Sequence, residues 1–162
     1  MNFRKIDVKK DEETIVKFRK DSYLISFGSL ERFGDEYAYV ERIADRAMKF
    51  PEGIVLVEEH NKVIGQMELQ IVKYEGKDIG YVHLYYLIPE YRGKGYGKDL
   101  MAYSERFFRK NGMTEYHLRV SPANQGAMHF YLKAGMEKLQ EEKHDYVVWR
   151  MRKFLDCNTT GN

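Results

Sequence analysis

The sequence predicts a mixed α/β domain, a central twisted sheet of about seven strands flanked by about four helices. Three observations predict it. The chain has 162 residues, close to one domain at about 150 residues each, and folding at that mass buries roughly 70% of the extended surface. Hydrophobic residues at 43% and only three prolines favour a packed core over disorder. Helix-like and strand-like periodicities alternate along the chain in the order β-α-α-β-β-β-α-β-α-β-β, which calls for a mixed sheet with helices on its faces.

Taken in order, Phe3 to Val8 alternates and reads as a short opening strand. Ile15, Val16, Phe18 and Tyr23 space a helix over about Glu12 to Leu24, and Gly28 and Gly34 punctuate the turn after it. Asp35 opens a second helix carrying Tyr39, Val40, Ile43, Ala47 and Phe50, which Pro51 and Gly53 close. Ile54 to Glu58 is an apolar strand, and His60-Asn61-Lys62 turns it into a partner at Val63 to Val72. Glu75-Gly76-Lys77 turns again into a tyrosine-rich strand, Ile79 to Ile88. A helix over Gly95 to Lys110 buries Leu100, Ser104, Phe107 and Phe108 and stops at Asn111-Gly112. Tyr116 to Val120 is a further strand, Asn124 to Ala134 a short helix ending at Gly135, and Asp145 to Arg152 the last strand.

Charge and cysteine usage exclude several functions. Twenty-seven Lys and Arg against twenty-five Asp and Glu leave +2, too balanced for a dedicated nucleic-acid binder. The lone Cys157 cannot form an internal disulfide and reads as a surface thiol of a reducing compartment. Met1 to Lys10 lacks the apolar stretch of an export signal, and no run is long enough for a membrane span. The Asn158-Thr159-Thr160 sequon is therefore read as chance. The expectation is a soluble, cytoplasmic protein with one domain over residues 1–154 and a polar tail over 155–162.

The most informative segment is Pro89-Glu90-Tyr91-Arg92-Gly93-Lys94-Gly95-Tyr96-Gly97-Lys98, between a strand end and a helix start. Alternate glycines let backbone amides approach a ligand, and the helix N-terminus adds unpaired N–H groups that favour a phosphate. Arg92, Lys94 and Lys98 supply positive charge at the same point, so the segment reads as a pyrophosphate cradle. Its spacing does not fit the dinucleotide fingerprint, the Walker loop or the kinase glycine loop. The alternative is a flexible turn with capping glycines.

These residues resemble the acetyl-CoA signature of the GNAT family of N-acetyltransferases. That motif, Gln/Arg-x-x-Gly-x-Gly/Ala after the fourth strand, is matched by Arg92-Gly93-Lys94-Gly95-Tyr96-Gly97. A second family motif, Asn-x-x-Ala-x-x-x-Tyr-x-x-x-Gly-Phe, is matched from Asn124 through Ala127, Tyr131 and Gly135, with Met136 in place of the final aromatic. Both stand in the family order, and the topology extends the likeness over residues 1 to about 154. The resemblance implies a GNAT-like fold, acetyl-CoA as cosubstrate with no metal, and direct attack of an amine on the thioester. It implies that backbone groups from Tyr85 to Leu87 hold the pantetheine arm, with the Leu87 N–H polarising the acetyl carbonyl. It further implies that amides of Gly93 to Lys98 bind the pyrophosphate and that Asn124 contacts the cofactor, a role open beside plain helix capping.

Tyr131 matches the family's general acid. A phenol of ordinary pKa about 10 is protonated at neutral pH but is a weaker acid than a thiol at about 8.5, so its help is hydrogen-bond stabilisation with late proton transfer. The competing reading is a core tyrosine. The general base departs from the family, because Tyr81 and Arg119 stand where a glutamate is expected. His83 shares strand parity with Tyr81 and Tyr85, so all three are expected on one face, and an imidazole of pKa about 6.5 suits a base. Glu68 is a second candidate, and a water chain without a dedicated base a third. His60, His117, His129 and His144 lack metal-ligand spacing.

The resemblance implies that the first two helices and the β-hairpin after the third strand shape the acceptor pocket. There Glu31, Asp35, Glu36, Glu41 and Asp45 outnumber Arg32 and Arg42, which would favour a cationic amine if that face lined the cleft. A small-molecule or peptide amine fits, a small molecule, a peptide N-terminus and a protein lysine all standing open, with no nucleic acid and no membrane. Homodimers are common in the family, though no residue pattern sets the oligomeric state. Two rivals stand beside catalysis: an acyl-CoA-binding sensor that has lost turnover, and a phosphate-binding interaction module.

Overall fold

Turn chemistry and capping residues divide the chain where the periodicity changes. The computed structural model describes residues 1–156; Cys157 and the sequon at Asn158 lie outside them. The opening strand β1 is Asn2–Lys5, shorter than expected, because the Asp7 side chain accepts the Lys10 N–H and starts α1 at once. Helix α1 runs Val8–Phe27 and ends at Gly28, whose φ of 70° supplies the left-handed turn. Helix α2, Glu36–Lys49, is capped by Asp35. Strands β2 (Ile54–Glu59), β3 (Lys62–Tyr74) and β4 (Lys77–Leu87) form a meander. His60 and Asn61 both take positive φ, the twist that a two-residue hairpin needs.

Helix α3 (Tyr96–Lys110), β5 (Glu115–Val120), α4 (Gln125–Lys133), β6 (Glu137–Lys143) and β7 (Val147–Phe154) complete the chain. The seven strands form one mixed sheet in the order β1-β2-β3-β4-β5-β7-β6, antiparallel except where β4 meets β5 in parallel. Strand β6 has no apolar run behind it. Its sequence, EKLQEEK, is mostly exposed at the sheet edge and is specified by pairing with β7. Dense charge there also keeps a second chain from adding to the open edge.

Helices α1 and α2 cover one face of the sheet, where Phe18 stacks on Tyr86 and Tyr39 bonds Glu68. Helix α3 covers the other face. Phe108 lies stacked on Tyr116, and a Cβ on Gly80 would sit 2.5 Å from the Phe108 ring, so only glycine fits beneath it. No helix among the described residues is long and apolar enough to cross a membrane.

Candidate active site

Two irregularities in β4 create the site. The first is a β-bulge: Glu68 pairs with Leu84 but Leu69 pairs with Val82, so β4 carries one extra residue at His83. The bulge flips side-chain parity. Gly80 faces α3, and so does Tyr85, whose hydroxyl bonds Ser104 of α3, although five residues separate them. Tyr81 and His83, in edge-on ring contact, face the α1–α2 side instead. The expectation that Tyr81, His83 and Tyr85 share a face is thus corrected, since strict alternation does not survive an inserted residue.

The second irregularity is a splay. Strands β4 and β5 pair only from Gly80–Tyr116 to Val82–Leu118, after which they part. Because the Ile88 N–H bonds the Ile64 carbonyl, Leu87 opposite Gly65 is a non-hydrogen-bonded pair, and its N–H turns away from β3 into the gap. Tyr85, two residues earlier, shares that orientation. A cleft of about 880 Å³ passes through the splay, lined by Arg19 and Phe27 of α1 on one side of the sheet and by Gly97 and Tyr131 on the other.

The cradle lies at the α3 end of this cleft. Gly93 and Gly95 take φ of 71° and 89°, with open space where a Cβ would stand. Gly97 is tight for a different reason, since a Cβ there would come 3.1 Å from the Phe130 ring of α4. Side chains cap α1, α2 and α4, but α3 begins at Gly95 with no side-chain cap, leaving amide donors and the positive dipole end available. Lys98 lines the cleft beside it.

Of the residues expected to bind a cofactor, Tyr85, Leu87, Arg92, Gly93, Gly95, Gly97, Lys98 and Asn124 line the cleft, whereas the side chains of Lys94 and Tyr96 do not. Tyr96 packs its ring near Tyr91, at 5.3 Å between centroids. The expectation that Arg92 offers its positive charge to the cradle is corrected as well. Its Nε donates to the Leu87 carbonyl at 2.7 Å and its Nη2 to Asp21 at 2.8 Å, so the guanidinium ties the end of β4 to α1. Burial raises the Asp21 pKa, but bonds from Tyr86 and Arg92 outweigh it and leave the carboxyl below its ordinary value. Asn124 caps α4, its Oδ1 accepting the Ala127 N–H at 3.3 Å, while the residue still borders the cleft.

Four tyrosines gather near the inner end of the splay. Tyr81 accepts from Arg119, Tyr85 meets Ser104, and Tyr116 donates to Glu105. Tyr131 lies 6.3 Å from the Tyr85 ring, and its hydroxyl finds no hydrogen-bond partner among the described residues. Burial raises its pKa, so the phenol stays protonated.

The base candidates separate on geometry. Glu68 is fully buried away from the cleft, bonded by Tyr39, by Gln66 Nε2 at 3.1 Å and by Arg46 at 3.4 Å. His83 borders the cleft with Nε2 at 2.7 Å from Gln70 Oε1. Burial, reinforced by Arg46, Arg19 and Arg119, pushes its pKa down to about 3. Such an imidazole is neutral but a feeble proton acceptor.

The α1 end of the cleft, where the resemblance puts the acceptor, carries residues that sequence reasoning missed: Arg19, Ser22 and Phe27 of α1, Arg32 after it, and His144, Asp145 and Tyr146 between β6 and β7. Phe27 and Tyr146 stack at 4.0 Å and join the two segments. The acidic run is corrected: Glu31, Asp35, Glu36, Glu41 and Asp45 are all exposed and none borders the cleft. Only the spacing of Arg19 on the face of α1 that carries Ile15 and Ser22 could have flagged this end.

Comparison with known proteins agrees with the geometry. A family model described as the acetyltransferase (GNAT) family matches residues 13–136. An uncharacterized N-acetyltransferase of Methanocaldococcus jannaschii is 26% identical over 138 residues, 80% of this chain, which spans only 61% of that relative's length. A spermidine N(1)-acetyltransferase of Thermoplasma acidophilum is 22% identical over 160 residues, 91% of this chain and 95% of the relative. The structure of the PaiA N-acetyltransferase from the same organism, in complex with coenzyme A, is similar in fold, with a TM-score of 0.71, 22% identity and coverage of 94% of this chain and 98% of that one.

Proposed function

Because the chain belongs to the acetyltransferase (GNAT) family, we propose that it is an acetyl-CoA-dependent N-acetyltransferase, one domain over residues 1–154, acting by direct attack of an amine in a ternary complex. The observation that carries this reading is Tyr131: a protonated phenol at the through-sheet cleft, with no partner of its own among the described residues. A purely structural tyrosine beside Tyr85 and Tyr116 would be expected to spend its hydroxyl as they do.

The cleft suits the cosubstrate. Open space over Gly93 and Gly95 and the uncapped start of α3 fit a pyrophosphate. The outward N–H and carbonyl groups of Tyr85 fit an extended amide-bearing arm, and the Leu87 N–H faces the same gap, oriented to polarise a carbonyl. Arg92 Nε holds the Leu87 carbonyl, which turns away from β3 as that N–H does. When bound, acetyl-CoA supplies an activated thioester. Tyr131 then stabilises the departing sulfur by hydrogen bonding and delivers its proton late.

The amine must lose its own proton, and His83 is too weak to take it. The burial that chiefly depresses His83, and the arginines that reinforce it, supply the alternative: the same surroundings lower the pKa of an ammonium held there, so water can carry the proton away. A polyamine acceptor like that of the Thermoplasma relative is one member of the amine class.

Two measurements test the reading. Calorimetry should show acetyl-CoA binding, and an amine panel with thiol-release detection should show turnover. Absence of binding would sink the family chemistry for this chain. Binding without turnover on any amine would favour the sensing reading.

A further inference from the structure

The acceptor end of the cleft is a positive compartment. Arg19 is half-buried on α1, donates only to Ser22 Oγ at 3.3 Å, and rests over the Tyr23 ring at 5.2 Å. It has no carboxylate partner among the described residues. Arg119 donates to Glu142 at 2.6 Å, but the same carboxylate also accepts from Arg150 at 2.7 Å, so one negative charge serves two guanidiniums. Arg32 adds a third cation, and its partner Asp145, 3.9 Å away, is the one acidic side chain among the described residues that lines this end. The other carboxylates nearby are spent elsewhere, Glu68 on Arg46 and Asp21 on Arg92.

A simple amine arrives largely as an ammonium and is repelled by such a compartment. An amine that brings its own anion is not. We infer that the preferred acceptor carries an anionic group, a carboxylate, close to its amine, and that Arg19 receives that group. This rests on the acetyltransferase reading and narrows its substrate class. The α-carboxylate of a free amino acid and the acidic side chain of a peptide near its N-terminus offer the same chemistry. Either anion offsets the compartment's positive charge, so the amine can be held there without repulsion.

The experiment compares kcat/KM across matched pairs at saturating acetyl-CoA: leucine with leucinamide, a peptide amide beginning Ser-Glu with one beginning Ser-Gln, and spermidine alone. At least one anionic member should exceed its neutral twin by about tenfold, the size of one partly screened charge interaction of ~1.4 kcal/mol. The pair that shows the ratio identifies the source of the anion. Arg19→Gln should bring that ratio close to one by raising KM, Arg19→Lys should keep most of it, and CoA affinity should hold in both. In the unaltered enzyme the ratio should fall as salt rises. Spermidine outperforming every anionic amine, or a ratio untouched by both salt and Arg19→Gln, would overturn the inference while leaving the acetyltransferase reading intact. Acetyl-CoA binding with no turnover on any amine would overturn both.

Discussion

Replacing Tyr131 with phenylalanine removes one oxygen from the place where the proposed mechanism needs it most. The magnitude follows from what that oxygen touches. With no hydrogen bond to the described residues to lose and the ring retained against Phe130 and Tyr85, stability should change by less than about 0.5 kcal/mol. General-acid assistance is worth 10²–10⁴-fold, and a phenol whose pKa burial raises belongs at the low end, so kcat should fall about 10²-fold, or ~2.7 kcal/mol. Thiol release under saturating acetyl-CoA reads the rate, while calorimetry and denaturant melts read cofactor affinity and stability. Tyr85→Phe is the control: it removes the bond to Ser104 and should cost about 1 kcal/mol of stability. Turnover of Tyr131→Phe within about threefold of the parent would refute the acid role, since a group acting only in the transition state must register in kcat. A large loss of stability would show instead that the hydroxyl has a structural partner.

Three further outcomes follow from the same geometry. Asn124→Ala should lose about 1 kcal/mol of stability with the cap, whereas Asn124→Asp keeps the cap and removes the Nδ2 donor; weaker CoA binding in Asn124→Asp, by calorimetry, with stability unchanged separates the two roles. Glu68→Gln strips the carboxylate from Arg46 and Tyr39 and should destabilise the fold by about 3 kcal/mol in denaturant melts, because it leaves a partly buried cation uncompensated. His83 is held neutral in the fold with its pKa pushed from 6.5 to about 3, so it favours the native state fully above pH 6.5 and loses that contribution as pH falls toward 3. Melts of the parent and His83→Gln should therefore converge on acidification, and the kcat/KM profile should show no limb near 6.5 that His83→Gln abolishes.

The sequence carried the fold further than it carried the acceptor end. Helices and most strands were legible because buried faces repeat at fixed spacing and because Asp35, Asn124, Gly28 and Gly135 mark their ends with specific backbone chemistry. The cradle was legible for the same reason, since positive φ at Gly93 and Gly95 restricts which residues can stand there. Strand β6 was not, because an exposed edge strand buries almost nothing and its register comes from β7. The bulge in β4 was hidden because no side chain announces it; it emerges from pairing with β3 across the chain. Arg92 misled for a related reason, as the Asp21 that neutralises it lies 71 residues away. The acidic run before and within α2 gave the wrong sign for the acceptor end because composition does not say which way a helix faces.

The parity flip at His83 gives β4 two independent addresses. Tyr81 and His83, before it, look toward the arginine compartment, while Tyr85, after it, looks toward α3 and Tyr131. In the proposed mechanism, donor handling and acceptor choice are thereby written on one strand without sharing a side chain. A library randomised at 81 and 83 can explore new acceptors at little cost to coenzyme affinity. Deleting a single residue from β4 would erase the separation, turning Tyr85 to the opposite face and closing the site even if the sheet survived.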